Sequence, residues 1–132
     1  MNQIFLDTNA LSQYFEDDPQ ILEEVKISHL VNISVVTIGE IVYGFLKGNR
    51  FDKNNAILNK FLTNQYVNIV KINKEIAYLY AQIFFQNRKN GIPVPINDIW
   101  IAASAIETNS TLITYDKHFL KIPKVKLWKK LY

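Results

Sequence analysis

Hydrophobic positions along this chain switch between two spacings. Short apolar runs of strand length (Gln3 to Asp7, Val31 to Val36, Tyr66 to Val70 and Thr111 to Thr114) alternate with segments whose apolar residues recur every three or four positions. The first pattern suits strands buried on both faces, the second amphipathic helices. Ala10, Leu11, Tyr14 and Phe15 have helical spacing up to an acidic break at Glu16-Asp17-Asp18. Asp18-Pro19 then reads as N-cap and first position of a second short helix reaching about Lys26. Thr37 opens a helix carrying Ile38, Ile41, Val42 and Phe45, and Phe51 to Leu62 forms the next.

The second half continues the alternation. Asn73 caps a long helix with Ile76, Leu79, Tyr80, Ile83 and Phe84 on one stripe, ended by Asn90-Gly91 and blocked by Pro93. Asn97-Asp98 leads into Ile99 to Ile106, apolar nearly all round, so that helix must be buried on several sides. Tyr115 to Phe119 reads as a turn and Val125 to Leu127 as an edge strand. Strands separated by helices imply an α/β fold, with parallel pairing and helices on both faces.

Composition narrows the classes. With 132 residues and 48% apolar content the chain suits one ordered domain. It has no cysteine, which excludes disulfides and thiolate metal sites. No secretory leader pattern precedes the first strand and no apolar run approaches the roughly 20 residues that span a bilayer, so the expectation is a cytoplasmic protein without a membrane role. Six lysines and no acid lie between Lys117 and Tyr132, so the net charge of +3 leaves −3 on residues 1 to 116. Two readings of that basic tail stand: attraction of a polyanion, or a solvated face that keeps an edge strand soluble.

Four acids fall where such a topology gathers them. Asp7 ends the first strand, Glu40 follows the second, Asp98 starts the buried helix and Asp116 follows the fourth strand. Carboxyl ends of parallel strands share one edge, where open α/β sheets bind ligands. Asp98 reaches that edge only if its helix starts there. Each acid also has an ordinary structural use. Asp7-Thr8-Asn9 can cap a helix, Thr37 and Glu40 have capping-box spacing, Asp98 suits a helix dipole and Asp116 a turn. Those uses do not account for four acids sharing one edge.

Like charges about 4 Å apart cost roughly 4 kcal/mol per pair at an effective dielectric near 20. Protonation relieves this, or a divalent cation does; oxygen ligands without His or Cys select Mg2+ or Mn2+. His29 and His118 show no metal-ligand spacing. Such a site suits phosphodiester hydrolysis.

Leu6-Asp7-Thr8-Asn9, Ile38-Gly39-Glu40-Ile41 with Gly44, Asp98 with Ile101-Ala102-Ala103-Ser104-Ala105, and Leu112 to Phe119 resemble, in order and end to end, the PIN-domain ribonucleases, and most closely the VapC toxins of bacterial toxin-antitoxin pairs. The resemblance implies a single three-layer α/β/α PIN domain over residues 1 to 132, with a central, mainly parallel sheet of about four or five strands. It implies Mg2+- or Mn2+-dependent endonuclease cleavage of RNA. Asp7 and Asp98 would be the main metal ligands, Asp116 and Glu40 would complete the quartet directly or through water, and Thr8, Asn9 and Thr114 would orient carboxylates or water. It also implies a homodimer and a cognate antitoxin lying over the active-site groove, with Tyr14, Phe15, Phe45 and Phe51 on the helices that border it. The lysines from Lys117 onward are candidate phosphate contacts. Tyr115 departs from the arginine or asparagine common before the last aspartate.

Other classes fit less well. An aspartyl-nucleophile phosphatase would want an acid where Asn9 stands. A receiver domain would want its acidic pair beside the first strand, whereas Asp17-Asp18 lies farther on. An inactive PIN-like module that binds RNA or protein is the non-enzyme alternative.

Overall fold

The structure, a computed structural model, describes residues 2–132. Its centre is β1 (Gln3–Leu6), in a five-stranded sheet of order β3-β2-β1-β4-β5 in which every pairing is parallel. The other strands are β2 (Leu30–Ser34), β3 (Val67–Val70), β4 (Thr111–Ile113) and β5 (Lys126–Leu127). The helices are α1 (Thr8–Phe15), α2 (Pro19–Ile27), α3 (Val35–Lys47), α4 (Phe51–Leu62), α5 (Lys74–Lys89) and α6 (Ile96–Glu107), with short 3-10 turns at Lys117–Lys121 and Lys129–Leu131.

Successive strand side chains point to opposite faces, and β1 shows how this builds three layers. Ile4 and Leu6 join Leu11, Ile21, Ile41 and Phe61 under α1 to α4, while Phe5 joins Ile76, Ile83, Ile101 and Phe119 under α5 and α6. Phe5 is wholly buried; removing its ring would cost about 3–5 kcal/mol. In α6, Ala102, Ala103 and Ala105 are buried. Their small side chains let neighbouring elements approach closely. Tyr80 of α5 stacks on Trp100 of α6 with ring centroids 3.8 Å apart.

The expected alternation holds, with several boundaries shifted by one or two residues. β2 stops at Ser34 instead of continuing to Val36, because the Ser34 side chain accepts the Val36 N–H and caps α3. Val35 and Val36 are β-branched, yet the cap draws them into the first helical turn. Thr37 is therefore buried inside α3 and is not its cap. α6 begins at Ile96, just after Pro95, slightly earlier than the Asn97-Asp98 signal suggested. At the end of α5, Gly91 takes φ +67°, a conformation that favours glycine.

A buried polar network inside the sheet was not anticipated. Asn32 of β2 donates to Ser110 Oγ at 2.9 Å and accepts from Asn68 Nδ2 at 2.9 Å, with further contacts to Gln3 Oε1 and the Ile4 carbonyl. It ties β3, β2 and β1 to the entry of β4. Among the described residues no helix is long and apolar enough to cross a membrane.

The sheet changes direction beside β1. From there the chain winds outward through β2 and β3, then returns by α5 and α6 to β4 on the other side. The crevice beyond the carboxyl ends at such a switch point is where open α/β sheets bind ligands.

Candidate active site

Asp7 is the first residue beyond β1 and the N-cap of α1. Its Oδ1 accepts the Ala10 N–H at 2.8 Å and its Oδ2 accepts the Thr114 hydroxyl at 2.5 Å. Capping and the acid cluster thus use the same carboxylate. Thr114 follows β4, across the switch point. Its hydroxyl also accepts the Asp116 N–H at 2.9 Å, so its own proton is directed to Asp7. One buried hydroxyl therefore fixes two acids from different strands.

Asp116 caps the Lys117–Lys121 turn, its Oδ1 accepting the His118 backbone N–H at 2.9 Å. Asp98 is the third residue of α6, whose amino terminus does reach this edge: one ligand atom each from Asp98, Asp116 and His118 lie within 4.8 Å of one another. Glu40 sits in the second turn of α3. The capping-box expectation fails there because Ser34 is the cap. Instead Glu40 Oε1 accepts from Thr8 Oγ1 at 2.5 Å and Oε2 accepts from Asn97 Nδ2 at 3.2 Å. Thr8 is also 3.2 Å from Thr37 Oγ1. Asn9 is exposed on α1 and, among the described residues, makes no side-chain hydrogen bond to the cluster.

The charges of these acids bear on one another. Burial pushes the Asp7 carboxyl up to about 6, against the opposing bonds from Thr114 and Ala10, and the charges of Asp98 and Asp116 push the same way. Asp98 is also pushed up to about 6, first by burial and then by Asp116 and Glu40, with His118 opposing. Among the described residues the only contact within 4 Å between a basic side chain and a carboxylate is His118 Nδ1 to Asp116 Oδ1, at 3.0 Å, and no lysine or arginine comes that close to the cluster. Concentrated carboxylate oxygens without a protein counter-charge suit a hard divalent cation.

Two members of this constellation had no site role in the sequence, Asn97, read as the lead-in to α6, and His118, which showed no metal-ligand spacing yet lies with Asp98 and Asp116. Their signals were adjacency to Asp98 and the two-residue step from Asp116, neither of which stands out without the fold. Tyr115 turns away from the acids: its hydroxyl donates to the Asp18 carboxylate, with oxygens at 3.0 and 3.1 Å, and its ring packs edge-on against Trp128. Burial, then Asp18, raises the Tyr115 phenol's pKa. A groove of about 570 Å3 opens beside the cluster, sharing His118 and carrying Arg88, with Asn87, Pro93 and Ile96 among its walls.

The family model for the PIN domain matches residues 4–125. The chain belongs to the PIN domain family. Ribonuclease VapC1 of Methanocaldococcus jannaschii is 32% identical over 96% of this chain and 85% of its own length. A VapC ribonuclease of Pyrococcus furiosus is 38% identical over 86% and 74%. Among solved structures, VapBC-1 of nontypeable Haemophilus influenzae superposes with TM-score 0.84 at 26% identity, covering 96% of both chains. VapBC2 of Rickettsia felis, bound to a promoter DNA fragment, superposes with TM-score 0.87 at 23% identity, covering 96% of this chain and 97% of that one. The PIN fold and its parallel sheet therefore match the expectation from the four sequence blocks.

Proposed function

We propose that this PIN domain is an endoribonuclease of the VapC type that cleaves RNA phosphodiester bonds as the toxin of a toxin-antitoxin pair. What supports this reading is the convergence of Asp7, Glu40, Asp98 and Asp116 on the switch point of the sheet, where among the described residues only His118 offers a basic side chain. VapC ribonucleases among the relatives support the activity.

In this reading Asp7 and Asp98 are the main ligands of Mg2+ or Mn2+, and Asp116 and Glu40 complete the site directly or through water. When bound, the cation supplies polarisation of a phosphoryl oxygen and a lower pKa for water. The protein's part is orientation. Thr114 holds Asp7 and the Asp116 backbone, Thr8 and Asn97 hold Glu40, and each bond limits the carboxylate rotamers before substrate arrives. Asn9, exposed in the first turn of α1, would orient water in this reading. The groove beside His118 gives the RNA strand a path away from the acids. The six exposed lysines from Lys117 onward contact its phosphates.

The partner is an antitoxin, as in the solved VapBC-5 toxin-antitoxin system of Mycobacterium tuberculosis. Tyr14, Phe15, Phe45 and Phe51 are half-buried, whereas Tyr43 and Leu46 of α3 and Ile57 of α4 are exposed. Ile57 borders a cleft of about 210 Å3 that also includes Phe15, Ile41 and Phe45. An amphipathic antitoxin segment suits that surface. The chain works as a cytoplasmic homodimer in this reading.

The test is cleavage of structured RNA by the purified protein with Mg2+ or Mn2+, beside Asp7→Asn and Asp98→Asn. Metal-dependent cutting by the wild type, reduced at least 100-fold in both variants, is expected. Equal cutting by all three preparations would show a contaminant and remove the assignment. Growth arrest on expression, relieved by coexpression of the adjacent small gene product, tests the toxin role separately.

A further inference from the structure

His118 has a place in this site that the carboxylate quartet does not include. The side chain projects from the first residues of the Lys117–Lys121 turn, and Asp116 at the cap of that turn fixes where the imidazole begins. Its Nδ1 stands 3.0 Å from Asp116 Oδ1, and ligand atoms from Asp98, Asp116 and His118 share a space 4.8 Å across. Neighbouring ligands of an octahedral ion with bonds of about 2.1 Å lie about 3 Å apart and opposite ligands about 4.2 Å apart. The first separation is already that of two adjacent ligands, and because all three atoms lie within 4.8 Å of one another, a closure of at most about 0.6 Å brings the set to ligand spacing.

We propose that His118 supplies a nitrogen ligand to the cation held by Asp98 and Asp116, and that this nitrogen biases the site toward Mn2+ over Mg2+. The inference rests on the nuclease reading above and deepens it. Mg2+ strongly prefers oxygen, whereas imidazole nitrogen suits the transition metals, so replacing one oxygen donor by nitrogen penalises Mg2+ selectively. The ligating form has its proton on Nε2, leaving the Nδ1 lone pair for the ion. The competing arrangement has Nδ1–H donating to Asp116 and merely positioning that carboxylate.

The chain is well suited to separate these arrangements. It has only two histidines and no cysteine, and His29 precedes β2, at the opposite edge of the sheet. Pulsed electron paramagnetic resonance on the full chain loaded with Mn2+ reads directly whether a nitrogen is bound. The expected result is a 14N coupling that disappears in His118→Ala while Mn2+ still binds. Calorimetric titration with each metal should show the Mn2+:Mg2+ affinity ratio falling about tenfold in the same variant. Mn2+ bound by the wild type without nitrogen coupling, or a coupling that survives His118→Ala, would overturn the role of His118 and leave the nuclease reading intact. Failure of the wild type to bind either metal would overturn both.

Discussion

Two buried polar clusters occupy the same sheet and obey opposite rules. Around Asn32 the partners are neutral amides, hydroxyls and a backbone carbonyl: Gln3, Ile4, Asn68 and Ser110 pair with it, and Ser110 lies 2.8 Å from the Thr108 hydroxyl. That network closes on itself. Around Asp7 the hydrogen bonds are as good, yet they gather carboxylates whose charges oppose one another. A closed neutral network stabilises the unliganded fold, whereas an acid cluster raises its free energy until something positive arrives. Buried polarity alone therefore does not mark a site; uncompensated charge does.

The largest expected effects separate the clusters by what breaks. Asp98→Asn should lower metal-dependent RNA cleavage at least 100-fold with little loss of stability. Asn32→Leu should cost about 1–3 kcal/mol in urea unfolding, because Asn68 and Ser110 lose their partner, and should leave cleavage per folded molecule within twofold. Cleavage loss in Asn32→Leu beyond that of its unfolded fraction would erase the distinction.

A smaller effect belongs to Thr114, the hydroxyl that joins the two acid-bearing strand ends. Thr114→Val removes a donor to the Asp7 carboxylate. The pKa of Asp7 should then rise beyond about 6, carrying the acid limb of the pH–rate profile upward by about one unit and lowering the rate about tenfold near pH 5 and about twofold near pH 7. An unshifted acid limb would show that Asp7 does not control it. Smaller still, Lys117→Ala should change cleavage only a few-fold while reducing the salt dependence of RNA affinity by about one phosphate contact, a slope change of about 0.7. An unchanged salt slope would remove Lys117 from the RNA path.

The contrast also explains what was legible in the sequence. Asp7 was readable because a buried apolar run ends on it, and α/β alternation told which edge of the sheet it occupies. Asp116 was readable for the same reason. Asp98 needed the fold, since no strand precedes α6 to show at which edge that helix starts. Glu40 was counted among the acids, although its spacing from Thr37 also allowed a capping box. Only the backbone at Ser34 reveals that the helix has already begun. Asn97, His118 and the Asn32 network were not legible, because their partners lie 28 to 78 residues away or depend on the rotamer of a short turn. Local periodicity carries the elements; side chains that meet across them carry the chemistry.

The most direct test of uncompensated charge is an exchange of stability order between the wild type and Asp7→Asn. Asp7 titrates at about 6 in the fold against an ordinary 3.8, so the stability it contributes is fully present below about pH 4 and is lost as pH rises through 6. At pH 7 with chelator, Asp7→Asn should therefore be the more stable protein, by at most about 3 kcal/mol. With Mn2+ at about 100 times its dissociation constant, the wild type should gain about 2.7 kcal/mol and the variant much less, closing or reversing the gap. Denaturant unfolding of both proteins at pH 5 and pH 7, with chelator and with Mn2+, measures all of this at once. A variant that is less stable than the wild type at pH 7 without metal, or a wild type that gains nothing from Mn2+, would contradict the account.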